Sequence, residues 1–367
     1  MVEDLISVIV TAHNRKKFLP EALRSLEKQS LDKSRFEVIV VKNFYDKVSD
    51  EIIERNNWKN IVTDEESLGG KIFLALKHCR GSIVTFLEDD DLYRQDRLEK
   101  IYEAFKKHDM VFFYNDQEFI DEEGRVIKKV NPTINKTLVV PHNLKKRLSG
   151  YFDHYHLGFN SSSMAMKTRC IKRLSGLIKR LTPALDTLIY LASFVCYGDI
   201  FINKERLTLY RVHGSSTTCW ISHFNSYKAW LDCRQRYVLK YLNGHAYIAF
   251  LYKSLLGIYP NIYSSDLLDF AIFFNMLQNR NKPAFIKIPA RELVKHIRFK
   301  MQSYLYVRRV GEKGKWRATA FMIVALIRMV LSSFYDYLLG FLPLKIKDFW
   351  MRYIYYGTLR ALRKRAT

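Results

Sequence analysis

Between Phe86 and Leu92 the chain reads FLEDDDL, with carboxylates at Glu88, Asp89, Asp90 and Asp91 directly behind an apolar run. Acids this close repel one another and raise each other's pKa unless a cation sits among them. Two readings are open: a solvated acidic face, or a place that holds a hard divalent ion. Alternate residues of an extended chain point to the same side, so Glu88 with Asp90, or Asp89 with Asp91, has the spacing to share one ion.

The elements around this run favour the second reading. LISVIVTAH, FEVIVV, NIVT and GSIVTFL read as strands, the longer ones apolar enough to be covered on both faces of a sheet. Between them lie helical stretches. In the first, Phe18, Leu19, Ala22, Leu23 and Leu26 recur at helical spacing with Pro20 in the first turn, and Asn14 is the expected cap. GGKIFLALKHC and RLEKIYEAFKKH are further helices, and MVFFYND a further strand. Such alternation implies βαβ units and a parallel sheet, which binds ligands at the carboxyl ends of its strands. FLEDDD follows GSIVTFL at one of those ends.

SVIVTAHNRKKFLPEALRSLEKQS resembles the opening of the family 2 glycosyltransferases, and FLEDDDLYRQDRL resembles their D-x-D segment. TPALDTLIYLAS and LTLYRVHGSSTT resemble, in order, the stretch with the family's catalytic base and the segment that closes its donor site. The resemblance covers about the first 220 residues. It implies a GT-A fold, an α/β architecture with a Rossmann-like, mostly parallel sheet flanked by helices. The domain would span 1–222, with a donor half of about 1–115 and an acceptor half of about 116–222. The remainder, 223–367, would be a helical, basic region.

The resemblance further implies inverting transfer from a UDP- or GDP-linked sugar, with Mg²⁺ or Mn²⁺ held by Glu88, Asp90 and Asp91 and reached by His213. Asp89 and Arg211 fall to the donor site, and Thr11, His13 and Asn14 to its base and ribose end. Lys71, behind Gly69-Gly70, would add a positive charge near the phosphates, although a plain surface lysine is an equal reading. Asp186, alone among apolar residues, is the expected base, since desolvation lifts a carboxyl's pKa. Asp is also a favoured helix cap, and the roles can coexist. His213 is a phosphate-facing residue or a simple loop histidine. One departure stands out. Family members usually carry V-D-D-G-S after the second strand, where this chain has Lys42 and Asn43. Asn43 would then read the base edge, Lys42 would favour an electronegative ring edge, and Glu66 would replace part of the missing acid.

Composition separates the two parts. The formal net charge is +23, yet residues 1–210 hold 34 Lys and Arg against 30 Asp and Glu, while the rest holds 26 against 7. The apolar stretch 318–344 is interrupted by Arg328 and Asp336, and basic, aromatic sequence follows it. That pattern suits a helix at a membrane interface, or an ordinary bundle, better than a lone span. Attachment to an anionic cytoplasmic leaflet accounts for charge, aromatics and apolar run together, and would favour a lipid-linked or membrane-proximal glycan acceptor. No nucleic-acid module accompanies the charge. The five cysteines are scattered and form no CxxC pair, so neither a disulfide framework nor a zinc site is expected, as suits a reducing cytoplasm. The N-terminus, with two acids before a short apolar run, is unlike a signal peptide. Two alternatives remain: a polyprenyl-phosphate sugar synthase, in which Asp186 is dispensable, and a non-catalytic scaffold that binds membrane or nucleic acid.

Overall fold

The computed structural model describes residues 2–127, 134, 136–145, 160–179 and 185–213. All lie in the compact unit that contains Met1–His213. The expected domain boundary at 222 and the basic helical region fall outside the described residues. No described helix is long and apolar enough to cross a membrane.

The first half alternates strand and helix: β1 (Val2–Ala12), α1 (Leu19–Glu27), β2 (Phe36–Lys42), α2 (Lys47–Arg55), β3 (Lys59–Val62), α3 (Leu68–His78) and β4 (Gly81–Glu88). The second half holds β5 (Leu92–Tyr93), α4 (Arg97–Lys107), β6 (Met110–Ile120), β7 (Leu138–Val140) and β8 (Met164–Lys167). It continues through α5 (Thr168–Arg173), α6 (Ser175–Ile178), α7 (Leu185–Ala192) and β9 (Asp199–Arg211). One sheet runs in the order β3-β2-β1-β4-β8-β6-β9-β5, with β7 on β9. β3, β2, β1 and β4 are parallel. β8 enters antiparallel between β4 and β6, and β6 and β9 run parallel again. The architecture is the mixed α/β one that the alternating pattern predicts.

The apolar runs explain the centre. Ile6, Val8, Ile9 and Val10 of β1 are all fully buried, as is Val84 of β4. Full burial of each such side chain contributes about 1.5–3 kcal/mol. α1 buries Leu19, Ala22, Leu23 and Leu26, the predicted stripe, with Pro20 in its first turn. Its cap position is Phe18, not Asn14, and no side chain caps it. Asn14 takes a positive φ of 57° and pairs with Asn43 instead, so the chain bends away before the helix can use it. α2 has no apolar run to announce it; its start is set by Asp46, whose carboxylate accepts from the Ser49 amide.

The scattered cysteines are corrected in one respect. Cys170 of α5 and Cys196, just before β9, form a disulfide with Cα atoms 5.7 Å apart, because the fold brings together residues 26 apart in sequence. Cys79 is free and buried, and burial pushes its thiol up to about 12.

Candidate active site

Register places the chemistry. Thr11 of β1 lies opposite both Val41 of β2 and Glu88 of β4, so the carboxyl ends of three parallel strands share one edge. β5 pairs with Leu209 and Thr208, which draws the end of β9 alongside the acidic run.

The run itself is a turn, not extended chain: the Asp91 amide donates to the Glu88 carbonyl at 3.2 Å. A turn fans the four carboxylates out, so the expected alternation of Glu88 with Asp90 and Asp89 with Asp91 does not occur. Glu88 accepts from Ser161 Oγ at 2.7 Å. Asp89 accepts from the His13 amide and from the Arg15 guanidinium. Asp90 Oδ2 faces His213 Nε2 at 3.0 Å and Arg15 Nη1 at 2.6 Å. Asp91 Oδ1 accepts from the Arg211 amide, while its buried Oδ2 has no hydrogen-bond partner among the described residues.

These partners divide the titration behaviour. Burial, then the Asp90 charge, lifts the Glu88 pKa, and the same two causes lift Asp91 well above the usual carboxylate range. Burial pushes Asp89 up to about 7 against the lowering charge of Arg15. For Asp90 burial also acts upward, but the hydrogen bond with His213 and the charge of Arg15 outweigh it and hold its pKa low. Asp90 is therefore the acid whose pKa is held low, and the one that meets an imidazole.

Among the described residues no three His, Cys, Asp or Glu side chains gather as a cage for a metal ion. The expected four-ligand set is thus not assembled: Asp90 and His213 meet, and Glu88 and Asp91 are engaged elsewhere. The pair still fits a divalent ion that arrives on a phosphate. Mg²⁺ is commonly bound through one or two protein carboxylates plus substrate phosphates and water, and carboxylate and water oxygens suit Mn²⁺ as well. Asp90 and His213 supply one oxygen and one nitrogen within a hydrogen bond of each other.

Arg211, expected at the donor site, is committed to partners within the protein. It is buried beneath the turn, where Nε donates to the Asp90 carbonyl at 2.8 Å. Nη1 donates to the carbonyls of Asp121 and Glu122, and Nη2 to the Glu21 carboxylate at 2.6 Å. Its guanidinium also lies over the Phe18 ring. The residue ties α1, the acidic turn and the end of β6 together, and it delivers His213 two positions later.

Lys71 is 1% exposed rather than a surface lysine. Its Nζ meets His13 Nδ1 at 3.0 Å and donates to the carbonyls of Glu65 and Glu66. Burial lowers its pKa, with Glu65, Asp89 and Glu66 acting upward. Gly70 before it does not offer a free amide. Gly70 N–H is taken by Ser67 Oγ at 3.0 Å, and a Cβ on Gly70 would sit 2.2 Å from the Glu65 carboxyl carbon. Gly70 is needed so that Glu65 can close the helix start. Glu66 is exposed and reaches Lys71 through its carbonyl.

At the base end, Asn14 and Asn43 exchange hydrogen bonds of 2.9 and 2.7 Å, and Thr11 is buried at the strand end. Lys42 departs from expectation. It is fully buried and committed to Asp50 at 2.8 Å and the Phe44 carbonyl at 2.7 Å, so it faces α2 and reads no base.

Asp186 stands in the first turn of α7, and its Oδ1 accepts from the Thr187 amide at 2.8 Å. Its Oδ2 accepts from the Asn160 amide at 3.3 Å. Asn160 begins the turn Ser161–Ser163, whose Ser161 holds Glu88. Asp186 and the acidic run are thus the two neighbours of a single short turn. Asp186 lies inside the helix rather than at its cap position, and it is partly exposed.

The profile of the family described as glycosyl transferase family 2 matches residues 7–171. That stretch is a family 2 glycosyltransferase segment. A glycosyltransferase of uncharacterised specificity from a Nostoc species is 23% identical over 222 residues, 58% of this chain and 66% of that one. The poly(ribitol-phosphate) beta-N-acetylglucosaminyltransferase TarS of Staphylococcus aureus is 31% identical over 108 residues, 28% of this chain and 19% of TarS. The Escherichia coli UDP-Glc:alpha-D-GlcNAc-diphosphoundecaprenol beta-1,3-glucosyltransferase WfgD is 27% identical over 145 residues, 38% of this chain and 56% of WfgD. The chain spans less than two thirds of the length of each of these relatives.

Two parts of the family 2 domain's site escape a reading of the sequence. Arg15 was visible only as a cation just beyond β1, at the sheet edge that carries the acids. The turn at Asn160–Ser163 is a run of small polar residues, FNSSSM, whose place between Glu88 and Asp186 depends on β8 entering the sheet antiparallel.

Proposed function

We propose that the protein is an inverting glycosyltransferase that moves a sugar from a nucleotide-diphosphate donor to an acceptor hydroxyl. The pairing of Asp90 with His213, with Asp186 on the other side of the Asn160–Ser163 turn, carries this reading. Asp90 and His213 would hold Mg²⁺ or Mn²⁺. When bound, the ion supplies positive charge for the diphosphate as it leaves. Lys71 and Arg15 add cationic groups on the same strand-end edge. Asn43, paired with Asn14, offers amide groups to a base edge, and Thr11 packs the strand end beneath it. Asp186 accepts the acceptor's proton at its carboxylate, and a displacement with one base and no enzyme nucleophile inverts the anomeric centre.

The names of two relatives support a polymeric or lipid-linked acceptor: TarS acts on poly(ribitol phosphate) and WfgD on a diphosphoundecaprenol-linked sugar. The excess of 26 basic over 7 acidic residues after residue 210 supports work at an anionic membrane surface, on its cytoplasmic face.

Asp186→Asn tests the assignment of base. Asparagine keeps an oxygen for the Thr187 amide and removes the proton acceptor. Transfer should fall about 10²–10⁴-fold while nucleotide affinity is retained. Loss of transfer and nucleotide affinity together would assign Asp186 to structure, and undiminished transfer would support an acceptor that needs no base.

A further inference from the structure

Arg15 lies between β1 and α1 and grips two of the four acids. Nη1 donates to Asp90 Oδ2 at 2.6 Å, Nε to Asp89 Oδ2 at 3.3 Å, and Nη2 to Asp89 Oδ1. The guanidinium side is 27% exposed, whereas the Asp89 and Asp90 side chains are 1% and 11% exposed. The cation closes the acids off from solvent on that side. The oxygen it holds on Asp90 is the same Oδ2 that faces His213 Nε2 at 3.0 Å. One oxygen therefore serves both a guanidinium and an imidazole. An ion that binds Asp90 through Oδ2, the oxygen that faces His213, competes with Arg15 for that oxygen.

We propose that Arg15 is a tethered counter-cation: it occupies the ion's place on Asp90 in the donor-free protein, releases Asp90 when a divalent ion binds, and stays on Asp89. The inference rests on the reading that Asp90 and His213 hold the ion. Four neighbouring acids with neither ion nor arginine would repel one another at a partly desolvated strand end. With Arg15 in place, part of the charge of Asp89 and Asp90 is balanced in advance. The paired grip on Asp89 survives the exchange, since it uses Nε and Nη2. The freed Nη1 is a donor suited to a phosphate oxygen, so a diphosphate that arrives with the ion gives it a new acceptor. Arg15 thereby couples ion entry to diphosphate entry: each makes room or charge for the other.

The test is Mn²⁺ binding to the full chain without nucleotide, read from the electron paramagnetic resonance signal of the free ion. Arg15→Gln removes the competing charge and should tighten the Mn²⁺ dissociation constant roughly tenfold, as expected for one charge-assisted hydrogen bond. Arg15→Lys keeps the charge but loses the two-point geometry, and it should bind Mn²⁺ more tightly than the wild type by a smaller factor. It carries the test alone if Arg15→Gln does not fold. Equal or weaker Mn²⁺ binding in the folded variants overturns the proposal and makes Arg15 a positioning strut. Asp90→Asn separates the two readings. If it loses Mn²⁺ binding while the Arg15 variants match the wild type, only the role of Arg15 falls. If it binds Mn²⁺ as the wild type does, the ion sits elsewhere and both readings fall.

Discussion

Replacing Arg211 by Met removes the strut under the acidic turn and changes little else in volume. Three of its side-chain hydrogen bonds go to the backbone carbonyls of Asp90, Asp121 and Glu122, and one goes to the Glu21 carboxylate. Each carbonyl left without its charged donor costs about 1 kcal/mol, and the partner on half-exposed Glu21 adds roughly 0.5 kcal/mol. Retained packing on Phe18 offsets part of this, so the expected loss is about 3 kcal/mol. That is a large share of a typical domain stability of about 5–15 kcal/mol. Urea unfolding followed by tryptophan fluorescence measures it, with wild-type and variant midpoints compared at equal slope. Donor affinity, measured well below the unfolding midpoint, should fall with it, because His213 loses its anchor two residues away. A stability loss below about 0.5 kcal/mol would refute the strut, since surface substitutions stay within that range. Arg211 would then have to be returned to direct contact with the donor.

Three further outcomes follow from particular contacts. Lys42→Met breaks a buried pair with Asp50 and should destabilise the domain by about 1–3 kcal/mol. It should leave nucleotide affinity unchanged; a change in nucleotide preference in a binding assay would put Lys42 back at the base. Lys145 is buried against the carbonyls of Ser193 and Cys196, and burial pulls its pKa down to about 8. Its unfolded form binds the proton more tightly, so stability should rise with pH between about 8 and the ordinary lysine value near 10.5, by up to about 3 kcal/mol. The unfolding free energies of wild type and Lys145→Met, compared across that window, should diverge by this amount; parallel curves would contradict it. Finally, the full chain should sediment with phosphatidylserine vesicles and leave them as salt rises, at about 1 kcal/mol per basic residue engaged. Equal binding to neutral vesicles would refute an electrostatic attachment.

Much of this site could be read from the chain before folding, and the reasons are local. An apolar strand long enough to be buried on both faces ends at Glu88, and strand ends in such sheets gather ligands. That rule is enough to bring FLEDDDL, Thr11 and the Lys42 position to one edge. Where the reading failed, the deciding quantity was a direction or a long-range approach. Nothing in FLEDDDL says that residues 88–91 turn instead of continuing extended, and the turn leaves Glu88 with Ser161, Asp89 and Asp90 sharing Arg15, and Asp91 with the Arg211 amide. Lys42 sits at the expected strand end, but its side chain points toward Asp50 on a helix without an apolar signature. Arg211 was expected at the donor site, and the sequence does not show that it lies beneath the turn with its Nε on the Asp90 carbonyl. Arg15 reaches the acids across 74 and 75 positions of sequence, and the Asn160–Ser163 turn reaches Glu88 across 73 and Asp186 across 26.

The central requirement is that Asp90 and His213 bind a divalent ion together with a nucleotide diphosphate. The most direct measurement is isothermal titration of the full chain with UDP and with GDP, each with and without Mn²⁺, in wild type and in Asp90→Asn. The predicted result is binding of one nucleotide that requires Mn²⁺ and disappears in Asp90→Asn. Nucleotide binding that is equally strong without Mn²⁺, or unchanged in Asp90→Asn, would contradict it.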